Sequence, residues 1–182
     1  MSAATTIASG IRRITESDHR VADGLARLLI DAVDGGASVG FLAPLARETA
    51  AQYWAGVFAS LGSELYLWIA EQEGEIVGSV QLAPCGKENG RHRAEVQKLF
   101  VLAASRGRGI AARLMAEAEG FARADGRSLL VLDTQAGSVA ESVYRRLGWQ
   151  RAVEIPMYAM TPAGDPHATV YYYKMIAPRA GA

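Results

Sequence analysis

The chain has 182 residues, 50% of them hydrophobic, and its nineteen basic and nineteen acidic side chains cancel. That length suits one domain with a substantial core and is short for two, and the balanced charge gives no reason to expect nucleic acid or a membrane surface as partner. A single cysteine, Cys85, excludes an internal disulfide, and with no apolar run near the length of a membrane span and no leader pattern at the start, a cytoplasmic protein is expected.

Residues 1–9 are small and polar and read as disordered, which leaves 10–177 as a single domain. Ile11–Ile14 is a short strand. Thr15-Glu-Ser-Asp18 matches a capping box, and Val21, Leu25, Leu28, Leu29 and Val33 mark one face of a helix that Asp34-Gly35-Gly36 stops. Residues 37–44 mix glycine with Val39, Phe41 and Leu42, a composition that suits either a binding wall or a flap packed over the core. A second helix is expected from Pro44 or Leu45 to Leu61, with Trp54, Val57, Phe58 and Leu61 on one side. Leu65–Ala70 and Glu75–Leu82 read as a hairpin turning at Gln72-Glu73-Gly74, after which Cys85 is a small packed residue at the strand end.

From Glu95 the sequence alternates and then runs apolar through Val96, Leu99, Phe100, Val101 and Leu102, the pattern of a mostly buried strand. Apolar residues then recur at helical spacing (Ile110, Leu114, Met115, Ala118, Phe121), so a helix is predicted to begin near Gly107 or Arg108. A strand that turns through glycines into a helix presents free amides and the positive end of a dipole. With Arg106 and Arg108 beside them, the pattern points to an anion, most naturally phosphate. Ser128–Asp133 reads as a buried strand, Thr134–Gly137 as a loop, and Ser138–Leu147 as a short helix with Ser138 at its N-cap. Trp149–Glu154 and Thr169–Ile176 form a final hairpin around 156–166. These elements predict one α/β or α+β domain on a mixed, mostly antiparallel sheet of six or seven strands flanked by helices.

Neither the P-loop spacing nor the dinucleotide-binding spacing is present. Arg106-Gly107-Arg108-Gly109-Ile110-Ala111 instead resembles the Gln/Arg-x-x-Gly-x-Gly/Ala pyrophosphate loop of the GNAT family of N-acetyltransferases, and Ala140–Trp149 resembles that family's Ala-x-x-x-Tyr-x-x-x-Gly-Phe segment. The resemblance implies the GNAT acyl-CoA N-acyltransferase fold and acetyl-CoA as cofactor. It assigns Arg106, Gly107, Arg108, Gly109, Ile110 and Ala111 to the pyrophosphate, and the backbone of Leu99, Phe100 and Val101 to the pantetheine where that strand splays from its neighbour. The family often has Asn where this chain has Gly137, so Ser138 or the backbone is left to make that contact. Gly35–Phe41, Arg93–Lys98, Leu132–Thr134, Ala136–Glu141 and Tyr171–Lys174 are similar to the tabtoxin-resistance branch of the family, which implies a small primary amine as acceptor, either an amino acid or an amino-acid-like toxin.

Moving an acetyl group from a thioester to an amine requires a neutral amine, a polarised carbonyl and a proton donor for the departing thiolate. Tyr144 matches the family's helix tyrosine, a proton donor that also borders the cofactor. Two carboxylates are candidates for the base. Glu95 alternates with Gln97 and Leu99 and is expected on their face of the sheet, and Asp133 ends the next strand near the splay. His19, His92 and His167 read as solvated, and no His, Cys and carboxylate spacing suits a metal. Two other readings stay open: acetylation of protein N-termini or lysines, and a non-catalytic acyl-CoA-binding module. The final strands, with Tyr171, Tyr172 and Tyr173, offer a surface for a homodimer.

Overall fold

Apolar side chains on the two faces of one sheet pack against two pairs of helices. The computed structural model describes residues 10–16 and 18–177; the disorder expected for 1–9 lies outside the described residues. In chain order the elements are β1 (Gly10–Ile14), α1 (His19–Asp34), α2 (Arg47–Ala59), β2 (Tyr66–Gln72), β3 (Glu75–Pro84), β4 (Arg93–Val101), α3 (Ile110–Ala124), β5 (Leu129–Gln135), α4 (Val139–Arg146), β6 (Gln150–Met160) and β7 (Pro166–Met175). The sheet order is β1-β2-β3-β4-β5-β7-β6. Only β4 and β5 run parallel, as a strand–helix–strand crossover through α3 requires. The expected mixed, mostly antiparallel sheet is therefore present, with seven strands.

One face carries Val80, Leu82, Val96, Leu130, Leu132 and Tyr172 against Leu114, Met115 and Ala118 of α3 and Tyr144 of α4. The other carries Leu67, Ile69, Ile76 and Phe100 against Leu25, Leu28 and Leu29 of α1 and Trp54 of α2. Glu119 is buried beneath the first face. It accepts from Trp149 Nε1 at 3.1 Å and from Lys174 Nζ at 2.8 Å, and so ties α3 to β7 and to the connection between α4 and β6.

Several boundaries differ from the sequence reading. The N-cap of α1 is Asp18, whose carboxylate accepts from the Val21 amide at 2.8 Å, so the cap lies three residues later than a capping box on Thr15 places it. α2 starts at Arg47 and stops at Ala59, which leaves Leu61 outside it, bridged to Leu65. β5 continues through Asp133 to Gln135 because β7 pairs with it to its end, Gln135 opposite Thr169. The final hairpin is longer than expected: β6 runs through Pro156, since an edge strand needs no amide on its open side. A register shift between Ile155 and Ala159 takes up the irregularity. His167 accordingly lies in β7 rather than in a loop.

Candidate active site

Chemistry-bearing residues gather where β4 and β5 part. The two strands are neighbours only from Arg93 and Leu129 to Glu95 and Val131. Beyond that pair the β5-facing edge of β4, through Leu99, Phe100 and Val101, has no strand partner and borders an open wedge, the Val101 carbonyl accepting instead from Arg106 Nε. On its other side β4 is held by β3 through a bulge. Gln81 opposes Gln97 and Ser79 opposes Phe100, so three steps of β4 span two of β3.

The bulge centres on Lys98, whose φ is 50°. A lysine in this left-handed region costs about 1–3 kcal/mol, so the surrounding structure must enforce the conformation. The bulge also resets which residues share a face. Glu95 opposes Ala83, Gln97 opposes Gln81 and Phe100 opposes Ser79, so Phe100 joins Glu95 on the α1/α2 side while Leu99 and Val101 pack toward α3. The simple alternation that put Leu99 with Glu95 fails for this reason.

Lys98 Nζ donates to the Val39 carbonyl at 2.9 Å and lies 5.8 Å from the Tyr53 ring centroid. Burial pulls its pKa below the usual lysine value, while the charges of Asp133 and Glu95 act in the opposite sense. Asp133 is solvent-accessible at the mouth of the wedge. The protein around it still strips away enough water to raise its carboxyl above the usual range, against the attraction of Lys98. Glu95, half-buried, has no hydrogen bond or ion pair through its side chain among the described residues. Tyr171 pairs across from Asp133 on β7 and donates to the Tyr158 hydroxyl at 2.7 Å; that bond first, then burial and the charge of Asp133, push its pKa up to about 12.

Tyr144 borders the same wedge from α4. It is 7% exposed, with its ring 6.1 Å from those of Trp149 and Tyr172. Burial, and secondarily the charge of Asp133, carry its pKa well above that of an ordinary phenol, so the hydroxyl keeps its proton. No hydrogen bond occupies that hydroxyl among the described residues. Glu141, one turn earlier, fixes the helix: it accepts from the Tyr172 hydroxyl at 2.6 Å and from the Gly137 amide at 2.6 Å. Gly137 therefore has no amide to spare. Ser138 sits at the N-cap position without a side-chain cap bond, its Oγ 3.4 Å from Thr134 Oγ1.

At the open end of the wedge, α3 begins at Ile110, two or three residues later than the spacing predicts, with Gly109 as its N-cap at φ 74° and Gly107 at φ 77°. Two left-handed glycines in three residues curl the chain so that successive amides converge. Among the described residues, the amides of Gly107, Arg108, Gly109, Ile110 and Ala111 have no acceptor. Arg106 folds back, its Nε donating to the Val101 carbonyl at 3.1 Å, while Arg108 is exposed. These amides at the positive end of a fifteen-residue helix fit a diphosphate, and the unpaired edge of β4 fits an extended amide-bearing arm leading from it into the wedge.

Residues 37–44 form a roof. Ser38 Oγ donates to the Met160 carbonyl at 3.0 Å and the Ala43 amide donates to Pro162 at 2.9 Å, so this loop bridges to the β6–β7 hairpin. Ala37, Val39 and Phe41 meanwhile pack on the α1/α2 core, so the loop is both flap and wall. The wedge thus unites Glu95, Asp133 and Tyr144 with the glycine loop. It also brings in Lys98, Tyr53 and Tyr158, which sequence reasoning did not single out: a bulge leaves no letter pattern, and Tyr53 and Tyr158 lie far from the wedge in sequence. Among the described residues no cluster of His, Cys, Asp and Glu could hold a metal ion.

Comparison with known proteins agrees with this fold. An uncharacterized N-acetyltransferase from the hisH-hisA intergenic region of Azospirillum brasilense is 37% identical over 107 residues, covering 58% of this chain and 62% of its own length. The chain spans between 50% and 62% of the curated relatives it matches. Among solved structures, yncA of Salmonella typhimurium, determined with its cofactor acetyl-CoA, superposes with a TM-score of 0.75 at 15% identity, covering 96% of this chain and 98% of that one. Ribosomal-protein-alanine N-acetyltransferase from Brucella melitensis gives a TM-score of 0.74 at 22% identity, covering 91% and 99%. At these identities the two structures speak for the fold alone. The sequence profile of the acetyltransferase (GNAT) family matches residues 34–149, from the end of α1 through the bulge, the glycine loop and α4, and the chain belongs to that family.

Proposed function

We propose that the protein is an acetyl-CoA-dependent N-acetyltransferase that acetylates the primary amine of a small molecule, an amino acid or an amino-acid-like toxin, by direct attack in a ternary complex. The observation that carries this reading is the continuity of the wedge: free amides at 107–111 lead along the unpaired edge of β4 to a carboxylate and a protonated phenol. Acetyl-CoA supplies an activated thioester when bound. The amides of the glycine loop hold its diphosphate, and the backbone of Leu99, Phe100 and Val101 aligns its arm, with Ser138 bordering the arm from α4. Asp133 takes the proton of the incoming amine, with Glu95 as a second carboxylate on the same face, and Tyr144 gives its proton to the departing thiolate. The roof of 37–44, tied to the β6–β7 hairpin, narrows the acceptor side and favours a small amine over a protein segment. A module without catalysis has no use for Asp133 and Tyr144 in this arrangement.

Free thiol release from acetyl-CoA, followed across amino acids, polyamines and aminoglycosides, tests the reading. Release that depends on an amine and is lost in Asp133→Asn supports it. Acetyl-CoA that is never consumed with any amine contradicts it.

A further inference from the structure

Lys98 is the residue on the acceptor side for which neither the family resemblance nor the acetyl-transfer chemistry has a use. Its position nevertheless costs backbone strain: in a regular strand residue 98 faces α3, and the bulge at φ 50° sends its side chain beneath the 37–44 roof, on the side of Glu95 and Asp133. An ammonium has three N–H donors. One is spent on the Val39 carbonyl, and the other two have no acceptor among the described residues. Tyr53, itself held by a hydrogen bond from Gln81 Nε2 at 3.1 Å, presents its ring to the same ammonium and fixes it further.

Asp133 is the counterpart. Its charge and that of Lys98 act on each other, yet the two form no ion pair, and no other cation pairs with Asp133 among the described residues. The wedge thus offers one anionic and one cationic group on the same face, held apart and each with hydrogen-bonding capacity left over. A molecule carrying an ammonium and a carboxylate a few bonds apart satisfies both at once.

We propose that Lys98 binds the carboxylate of the acceptor, so that the acceptor is an amino acid with a free carboxylate near the amine that is acetylated. This rests on the acetyl-transfer reading above and narrows it. The ammonium of the free acceptor is drawn to Asp133, which then takes its proton, while the carboxylate bonded to Lys98 holds the nitrogen toward the thioester. A peptide N-terminus or an amino-acid amide lacks that carboxylate and leaves Lys98 without its partner. A polyamine brings a second cation that Lys98 repels.

The test measures kcat/KM by thiol release for each common L-amino acid, its α-carboxamide and spermidine, with the wild type, Lys98→Met and Lys98→Arg. The wild type is expected to favour the acids over their amides by about tenfold or more, the effect of losing one charge-assisted hydrogen bond. Lys98→Met collapses that ratio toward one through a raised KM for the acids, and Lys98→Arg retains part of it. A rise in melting temperature with acetyl-CoA verifies that each variant is folded, and a wild type with no preference for the acids overturns the proposal even if a variant is not. Amides or spermidine acetylated as well as the acids, or an unchanged ratio in Lys98→Met, overturns the role of Lys98 and leaves acetyl transfer standing. Thiol release with none of these amines overturns the acetyl-transfer reading, and the role of Lys98 with it.

Discussion

Glu95 and Val131 are the last pair of residues that holds β4 beside β5. Everything chemical lies just past them: the free edge of β4 on one side, Asp133 two residues further along β5 on the other, and Tyr144 from α4 at the border. A parallel pair that stays zipped has no room for a ligand; this one stops pairing after three residues and leaves a wedge whose walls are rigid strands. Such a site is pre-organised, because neither wall must move to admit an extended arm.

Asp133→Asn is expected to lower kcat/KM by about a hundredfold or more, the scale of a positioned base, without weakening acetyl-CoA binding. In the wild type the acidic limb of the pH profile lies above the ordinary carboxylate range because burial raises the Asp133 pKa. Lys98→Met shifts the limb higher still, since the cation that holds it down is gone. The sign for stability follows from the same shift. The folded carboxyl holds its proton more tightly than the unfolded one, so the folded state loses stability as pH rises from the unfolded pKa through the folded pKa, and stays lower above it. Asp133→Asn removes that loss, and thermal melting at pH 7 should show the inactive variant no less stable than the wild type.

Tyr144→Phe keeps the packing against Trp149 and Tyr172 and removes only the proton donor. Turnover is expected to fall by about a hundredfold with the KM for acetyl-CoA unchanged. Because its pKa stands well above that of an ordinary phenol, no basic limb below about pH 10 is assigned to this group. Equal turnover by the Phe variant in a steady-state assay would remove Tyr144 as the acid.

Glu119 supports the site from beneath. Removing it in Glu119→Ala leaves the Trp149 indole N–H without an acceptor and the Lys174 ammonium with the Leu147 carbonyl but no counter-charge, at a cost of about 3 kcal/mol. Urea unfolding of the variant should show that loss with little change in the slope of the transition. A difference below about 1 kcal/mol would mean that solvent, not Glu119, satisfies these donors.

The parts of the site that depend on local chain chemistry were legible in the sequence. Gly107 and Gly109 announce the anion loop because only glycine takes two left-handed turns so close together at no cost, and the apolar periods on either side of it identify β4 and α3. The hairpin was legible from Gly74, at φ 81°, although Glu73 beside it takes φ 51° without being glycine. Long-range contacts were not. Ser38 meets Met160 across 122 positions, and no periodicity carries that information. Lys98 was hidden because a bulge is imposed by the pairing of β3 with β4, and the residue that fills it has no preference for the conformation it adopts. Pro156 misled in the opposite direction, since a strand-breaking residue is tolerated where the sheet ends.

Isothermal titration of acetyl-CoA into the wild type and Gly109→Asp examines the anion loop and the wedge together. One-to-one binding with release of heat is expected for the wild type. At least a tenfold weakening is expected for the variant, whose carboxylate and Cβ intrude on a left-handed turn meant for a diphosphate. Absence of heat with the wild type, or equal affinity in the variant, would contradict a diphosphate seated on the amides of 107–111.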